Sequence, residues 1–139
     1  MSPTLIFRNE RSSNHSGTPG TLVLSMGASG GPKIITSVLQ TILNYAFVGM
    51  PLYEAVSSSR IHNQLLYHGA AGTNIEKVRS PQGPMVQVSQ RTRSALEKRG
   101  HNLIDSDYLG AVQAVAVDLE SNLLTAVADI RKQGKPDGY

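Results

Sequence analysis

Between a short apolar run and a long helical pattern the chain carries Gly27-Ala28-Ser29-Gly30-Gly31-Pro32-Lys33, and several chemistries compete for these residues. Gly27 to Gly31 matches G-x-S-x-G, the elbow that presents a nucleophilic serine between a strand and a helix. Enzymes of that kind place their acid and then their histidine downstream of the serine. Here the last histidine is His101, and Asp105, Asp107, Asp118 and Asp129 all follow it; only Glu54, Glu76 or Glu97 precede a histidine. The order fails for aspartate, which counts against Ser29 as a nucleophile. A phosphate loop fits less well, because Lys33 is followed by Ile34 and the Gly-Lys-Ser/Thr core is missing. His62 and His68 lack the spacing of metal ligands, and the chain has no cysteine, so no metal site is expected. His15 reads as a solvated loop residue, and the Asp105/Asp107 pair before Tyr108 as loop or cap residues. Gly30 and Gly31 remain as the informative pair. Adjacent glycines before a helix build either a plain tight corner or one whose backbone N–H groups face a ligand, where negative charge is stabilised.

The elements that must hold this pair can be read on both sides of it. Thr21 to Met26 is a strand, Gly27 to Gly31 a glycine turn, and Pro32 suits a first helical position, where its missing N–H goes unneeded. Ile34, Ile35, Val38, Leu39, Ile42, Leu43, Ala46 and Phe47 then repeat at helical spacing and predict one apolar stripe against a sheet. Upstream, Pro3 to Phe7 forms a short strand, and the polar Arg8–Gly20 segment a long flexible hairpin loop. Downstream, Gly49 and Pro51 stop the helix and Leu52 to Ser59 makes a second, short one. Arg60 to Leu66 is extended, and Thr73 to Val78 alternates as a strand, placed at an edge. Met85 to Arg99 is read as a third helix with Gly100 as its cap. Ala111 to Val117, apolar on both faces, is a central strand that turns at Glu120-Ser121-Asn122 into Leu123 to Ala128. Hairpins with helices on one face describe an α+β or layered α/β domain.

With 139 residues the chain is one domain or part of one. A net charge of +3, spread along the chain, with two Phe and no Trp, gives no nucleic-acid signature. No apolar run approaches the roughly 20 residues of a membrane span. The segment after Met1 is not a signal peptide.

Four stretches in order carry a resemblance: Met1-Ser2-Pro3-Thr4; Gly27 to Gly31 with Ile34-Ile35-Thr36; Arg60-Ile61-His62-Asn63-Gln64; and the ending Asp129-Ile130-Arg131-Lys132-Gln133-Gly134-Lys135-Pro136-Asp137-Gly138-Tyr139. Together they resemble the C-terminal part of the small subunit of γ-glutamyltranspeptidase, or glutathione hydrolase. The likeness runs over the whole chain apart from the Arg8–Gly20 loop, which is longer than the family's turn. The resemblance implies a partial αββα sandwich of the N-terminal-nucleophile hydrolase type, in an α+β domain. It implies a precursor that cuts itself into two subunits, and a threonine nucleophile at the new N-terminus that attacks the γ-glutamyl carbonyl of glutathione. It assigns Gly30 and Gly31 to the oxyanion hole and to substrate binding, through their backbone N–H groups. No cofactor is implied.

The same resemblance marks what is missing. The family's carboxylate-binding serine pair precedes Met-Ser-Pro-Thr, and the nucleophilic threonine lies further upstream, so no nucleophile is expected in this chain. Ser2, Thr4 and Thr21 do not match the nucleophile's motif. The expected partners are the remainder of the small subunit, the large subunit with its substrate-binding arginine, and γ-glutamyl compounds; the chain alone is expected to be inactive. Family members act at the plasma membrane, outside the cell or in the vacuole.

Overall fold

The protein is described by a computed structural model that covers residues 3–9, 20–67, 70–79, 83 and 85–137. His15, His68, most of the expected hairpin loop and the outermost residues of both terminal motifs lie outside these.

Strand β1 (Thr4–Arg8) pairs antiparallel with β2 (Thr21–Ser29), so Arg8 belongs to the strand and not to the loop. Helix α1 (Lys33–Ile42) follows and runs into one π-helical turn, Leu43–Phe47. The short helix α2 (Leu52–Ser57) comes next, with Pro51 before it and Glu54 in its first turn, where the helix dipole favours an acid. A hairpin of β3 (Ile61–Tyr67) and β4 (Ala70–Arg79) leads to β5 (Met85–Gln87), α3 (Gln90–Glu97) and β6 (Leu103–Ser106). The chain then returns as β7 (Ala111–Val117) and β8 (Leu124–Ala128) and closes in one 3-10 turn, Ile130–Lys132.

Among the described residues two four-stranded sheets result. The first has the order β1-β2-β7-β8, all antiparallel; in the second β4 pairs with β3, β5 and, in parallel, β6. The core lies on one face of the first sheet. Leu24, Met26 and Ala28 of β2, Val112, Ala114 and Ala116 of β7, and Val127 of β8 are buried there against Val38 of α1 and Leu52 and Val56 of α2. The alternate residues of the same strands face the other way, as the twofold period of a strand requires. No helix among the described residues is long and apolar enough to cross a membrane.

Several further sequence expectations change. The strand does not stop at Met26: Gly27, Ala28 and Ser29 stay in register with Gln113, Val112 and Ala111, so the turn shrinks to Gly30-Gly31-Pro32. Thr73–Val78 is no edge, because β4 is the strand to which the other three of its sheet pair. The third helix loses its first turn. Met85–Gln87 is a strand against Lys77–Arg79, and Ser89 caps the helix by accepting the Thr92 N–H at 3.2 Å.

The wide stripe on α1 is divided. Ile34 and Ile42 pack on the core, while Ile35 (72% exposed), Leu39, Leu43 and Phe47 face outward. Ser37 and Thr41 take the inner positions. The Ser37 hydroxyl shares its one proton between the carbonyls of Lys33 and Leu109, and the Thr41 hydroxyl donates to the Ser37 carbonyl, which offsets the penalty of burying them.

Candidate active site

The corner after β2 is built from glycine conformations. Gly30 (φ 141°) and Gly31 (φ 60°) both occupy backbone space that side chains disfavour, and Pro32 (φ −62°, ψ −20°) sets the first helical turn. The helix begins at Lys33, one residue later than the proline rule suggests. Gly30 also has no room for a side chain: a Cβ there would meet the Gly110 Cα at 2.7 Å. Gly31 faces open space, with nothing within 4 Å of where its Cβ would stand. The bend is therefore on the surface and not sunk in packed side chains.

Peptide planarity fixes where the N–H groups point. The Lys33 N–H donates to the Gly30 carbonyl at 3.3 Å, and the Ile34 N–H to the Gly31 carbonyl at 3.1 Å. Carbonyl and following N–H point in opposite directions across a trans peptide. With the Gly30 carbonyl turned into the helix start, the Gly31 N–H is turned away from it. Ser29 supplies the preceding plane, which carries the Gly30 N–H. Its carbonyl accepts from the Tyr108 hydroxyl at 3.3 Å, and its own hydroxyl lies 3.4 Å from the same phenol.

Beneath the corner runs the segment Tyr108-Leu109-Gly110. Lys33 Nζ donates to the Tyr108 carbonyl at 3.0 Å and Ser37 Oγ to the Leu109 carbonyl at 2.6 Å. That segment is anchored in turn by four buried charges. Glu76 accepts the Leu109 N–H and the Arg60 N–H, each at 3.1 Å, and the Nε (2.7 Å) and Nη2 of Arg131. Asp129 accepts Arg60 Nη2 and the Val112 N–H, each at 2.7 Å, and Arg131 Nη1 at 2.9 Å. Arg60 Nη1 donates to the Gly110 carbonyl at 2.6 Å. The cluster is neutral, and it ties β4 of the second sheet to the ends of β7 and β8 in the first.

Burial works against the charges of Arg60, Asp129 and Arg131. It pulls the Arg60 guanidinium below its ordinary value, despite Asp129. It pushes the Asp129 carboxyl up, but Arg60, Arg131 and the Val112 N–H outweigh it and hold that carboxyl below the usual range. It opposes the charge on Arg131 as well, yet the bonds to Glu76 and Asp129 raise that group on balance.

The sequence model of the gamma-glutamyltranspeptidase family matches residues 1–139. The chain belongs to the γ-glutamyltranspeptidase family. It is 31% identical over 139 residues to glutathione hydrolase 3 of Arabidopsis thaliana, a match covering 84% of the chain and 21% of that relative. It is 30% identical over 138 residues to the glutathione hydrolase proenzyme of Bacillus subtilis (strain 168), covering 99% of the chain and 20% of the relative. In three dimensions it resembles the γ-glutamyltranspeptidase from Pseudomonas nitroreducens complexed with L-DON. There the TM-score is 0.74 at 26% identity, over 100% of the chain and 62% of that protein chain. The chain thus spans about a fifth of the length of the curated relatives it matches. The expected α+β fold of the N-terminal-nucleophile hydrolase type stands.

Within this γ-glutamyltranspeptidase fragment the other sequence candidates find ordinary partners. Ser29 is the last residue of β2, bonded to Tyr108. The His62 ring bonds to Thr36 (2.9 Å) and Gln64 (3.3 Å), and the His101 ring to Thr73 (2.8 Å). Asp105 lies in β6 and pairs with Arg93 at 2.8 Å, a bond that lowers its carboxyl pKa. Among the described residues no group of three or more His, Asp or Glu is placed to hold a metal. No local sequence pattern marks Glu76 or Tyr108 as a partner of the corner. The only sequence signal for the charge cluster is that Arg60, Asp129 and Arg131 lie in the stretches carrying the resemblance.

A groove of about 700 Å³ runs along the open face of the first sheet and reaches Ser29 and Ala111, next to the corner. Its floor is made of Ser25, Gly27, Gln113 and Ala126, and Lys132 and Lys135 stand at its rim.

Proposed function

We propose that this chain is the C-terminal part of the small subunit of a γ-glutamyltransferase, a glutathione hydrolase, and supplies the oxyanion-binding corner but not the nucleophile. The observation that carries this reading is the surface-exposed Gly30-Gly31 bend, with the Gly31 N–H directed away from the helix start. A nucleophile attacking the γ-glutamyl amide carbon drives negative charge onto the carbonyl oxygen. Two fixed N–H donors stabilise that charge without having to reorganise. The amine leaves, and the acyl-enzyme passes its γ-glutamyl group to water or to an amino acid or peptide amine. Pro32 has no N–H, so the hole rests on the two glycines. A donor of this kind is worth roughly 100- to 1,000-fold in rate.

The open face of the first sheet and the outward stripe of α1 support the same reading. They leave apolar surface for the rest of the small subunit and the large subunit to cover. The test is release of p-nitroaniline from γ-glutamyl-p-nitroanilide. The purified chain should release none. Joined in frame to a small-subunit N-terminal segment bearing the threonine, and combined with a large subunit, it should turn the substrate over. Release by the chain alone that Ser29→Ala abolishes would overturn the assignment in favour of a serine hydrolase.

The same exposed stripe also fits a second reading, a non-catalytic interaction module derived from this fold. That reading predicts a stable complex of the chain with a partner on size exclusion and no turnover in any assembly.

A further inference from the structure

One residue grips the glycine corner from both sides. The Tyr108 hydroxyl donates to the carbonyl of Ser29, the residue before Gly30, at 3.3 Å. The Tyr108 carbonyl accepts Nζ of Lys33, the residue after Pro32, at 3.0 Å, and faces the Ser106 hydroxyl at 3.5 Å. Gly110, two residues on, stands directly under Gly30. A side chain on Gly110 (φ 88°) would meet the Ser37 hydroxyl at 2.7 Å and the Ser29 carbonyl at 3.1 Å. Leu109 between them is buried, with its carbonyl held by Ser37 and its N–H by Glu76.

Resting on the oxyanion-hole reading above, we infer that Tyr108 and Lys33 form a clamp that sets the aim of the Gly30 and Gly31 N–H groups, and that both are positioning residues for γ-glutamyl transfer. The reason is geometric. A peptide is a rigid plane, so holding its carbonyl end fixes its N–H end. The Ser29 carbonyl is the far end of the plane that carries the Gly30 N–H. Strand pairing of Ser29 with Ala111 holds that plane from the sheet side, and Tyr108 holds it from the loop side. The Gly31 plane hangs from the Lys33 backbone N–H, and the Lys33 side chain is tied back to Tyr108. Glycine offers no side-chain resistance to peptide rotation, so the aim of both donors depends on these outside holds. The hydrogen bonds of Tyr108 and Lys33 go to the backbone on either side of the glycines, so the effect expected of them is on rate more than on ground-state binding.

The experiment takes Tyr108→Phe, which loses the hydroxyl alone, with Lys33→Met and the conservative Lys33→Arg, in the assembly that contains this chain. Two readouts are followed: steady-state turnover of γ-glutamyl-p-nitroanilide, and the backbone 15N order parameters of Gly30 and Gly31 referenced to Gln113 in β7. Tyr108→Phe and Lys33→Met should each lower kcat about two- to tenfold, the worth of one hydrogen bond, with KM within about twofold. Each should also lower the order parameters of the two glycines and not that of Gln113. Lys33→Arg keeps a donor and should restore both. A lower melting temperature with kcat per folded molecule and the glycine order parameters unchanged would reduce the two residues to ordinary packing and overturn the clamp. If the wild-type assembly turns over no γ-glutamyl anilide, the oxyanion reading falls. The order parameters then decide on their own whether Tyr108 and Lys33 hold the corner.

Discussion

The two faces of the first sheet are made by the same four strands and differ in almost everything else. On one face Leu24 (2% exposed), Met26, Val112 and Val127 are buried against α1 and α2. On the other, Leu5 (55%), Val115 (37%) and Leu124 (69%) look outward over the groove floored by glycine, serine and alanine. Strand alternation explains why two sets of side chains exist; it does not explain an apolar set facing water. A lone domain would place polar residues there. A layer in a larger sandwich would not, and this chain covers about a fifth of its relatives' length. The contrast separates the face this chain packs for itself from the face it leaves exposed.

The comparison can be broken most severely on the packed side. Arg131→Ala leaves Glu76 and Asp129 buried against a missing cation. It should cost about 3–5 kcal/mol, enough to abolish a cooperative unfolding transition in urea. Leu24→Ala should cost about 2–5 kcal/mol, whereas Val115→Ala on the open face should cost about 0.5 kcal/mol or less in the isolated chain. Equal losses in urea titrations would mean that the open face is packed after all. The pH dependence is smaller and has a fixed sign. The folded Asp129 carboxyl sits below its unfolded value, so its contribution is complete above about pH 4 and is lost as pH falls through the folded value. Asp129→Asn should lower stability at neutral pH and flatten that acid limb of the urea midpoint. Smallest is the cap on α3: Ser89→Ala removes the acceptor for the Thr92 N–H. It should lower stability by about 1 kcal/mol without affecting either face of the sheet.

How much of this was legible in the chain depended on the range of the forces involved. The glycine corner and the β7–β8 hairpin carry their signal locally and lie close to where the pattern puts them, whereas β2 runs three residues past Met26 and α1 begins one residue after Pro32. The three-residue β5 is too short to show a period, and Met85-Val86-Gln87 was absorbed into the helix that Ser89 starts. Strand β6 (Leu-Ile-Asp-Ser) mixes charge with apolar residues because it is a half-exposed partner of β4, paired in parallel across α3. The outer half of the α1 stripe stays exposed because periodicity reports that a face is apolar, not whether this chain covers it. Gly30 and Gly31 stood out by type alone. Tyr108 did not, since its bond to Ser29 joins residues 79 positions apart and no local pattern encodes such a contact.

Pairing of β2 with β7, Ser29 against Ala111, also dictates an order of events during synthesis. The second sheet closes over neighbouring segments, Ile61 to Ser106, and can assemble while the chain is still being made. Strand β2 leaves the ribosome early and then waits for the whole of that sheet to emerge before its partner arrives. During the wait Leu24 and Met26 have β1, α1 and α2 beside them but lack the half of their core that β7 and β8 supply, an interval in which a nascent chain leans on chaperones.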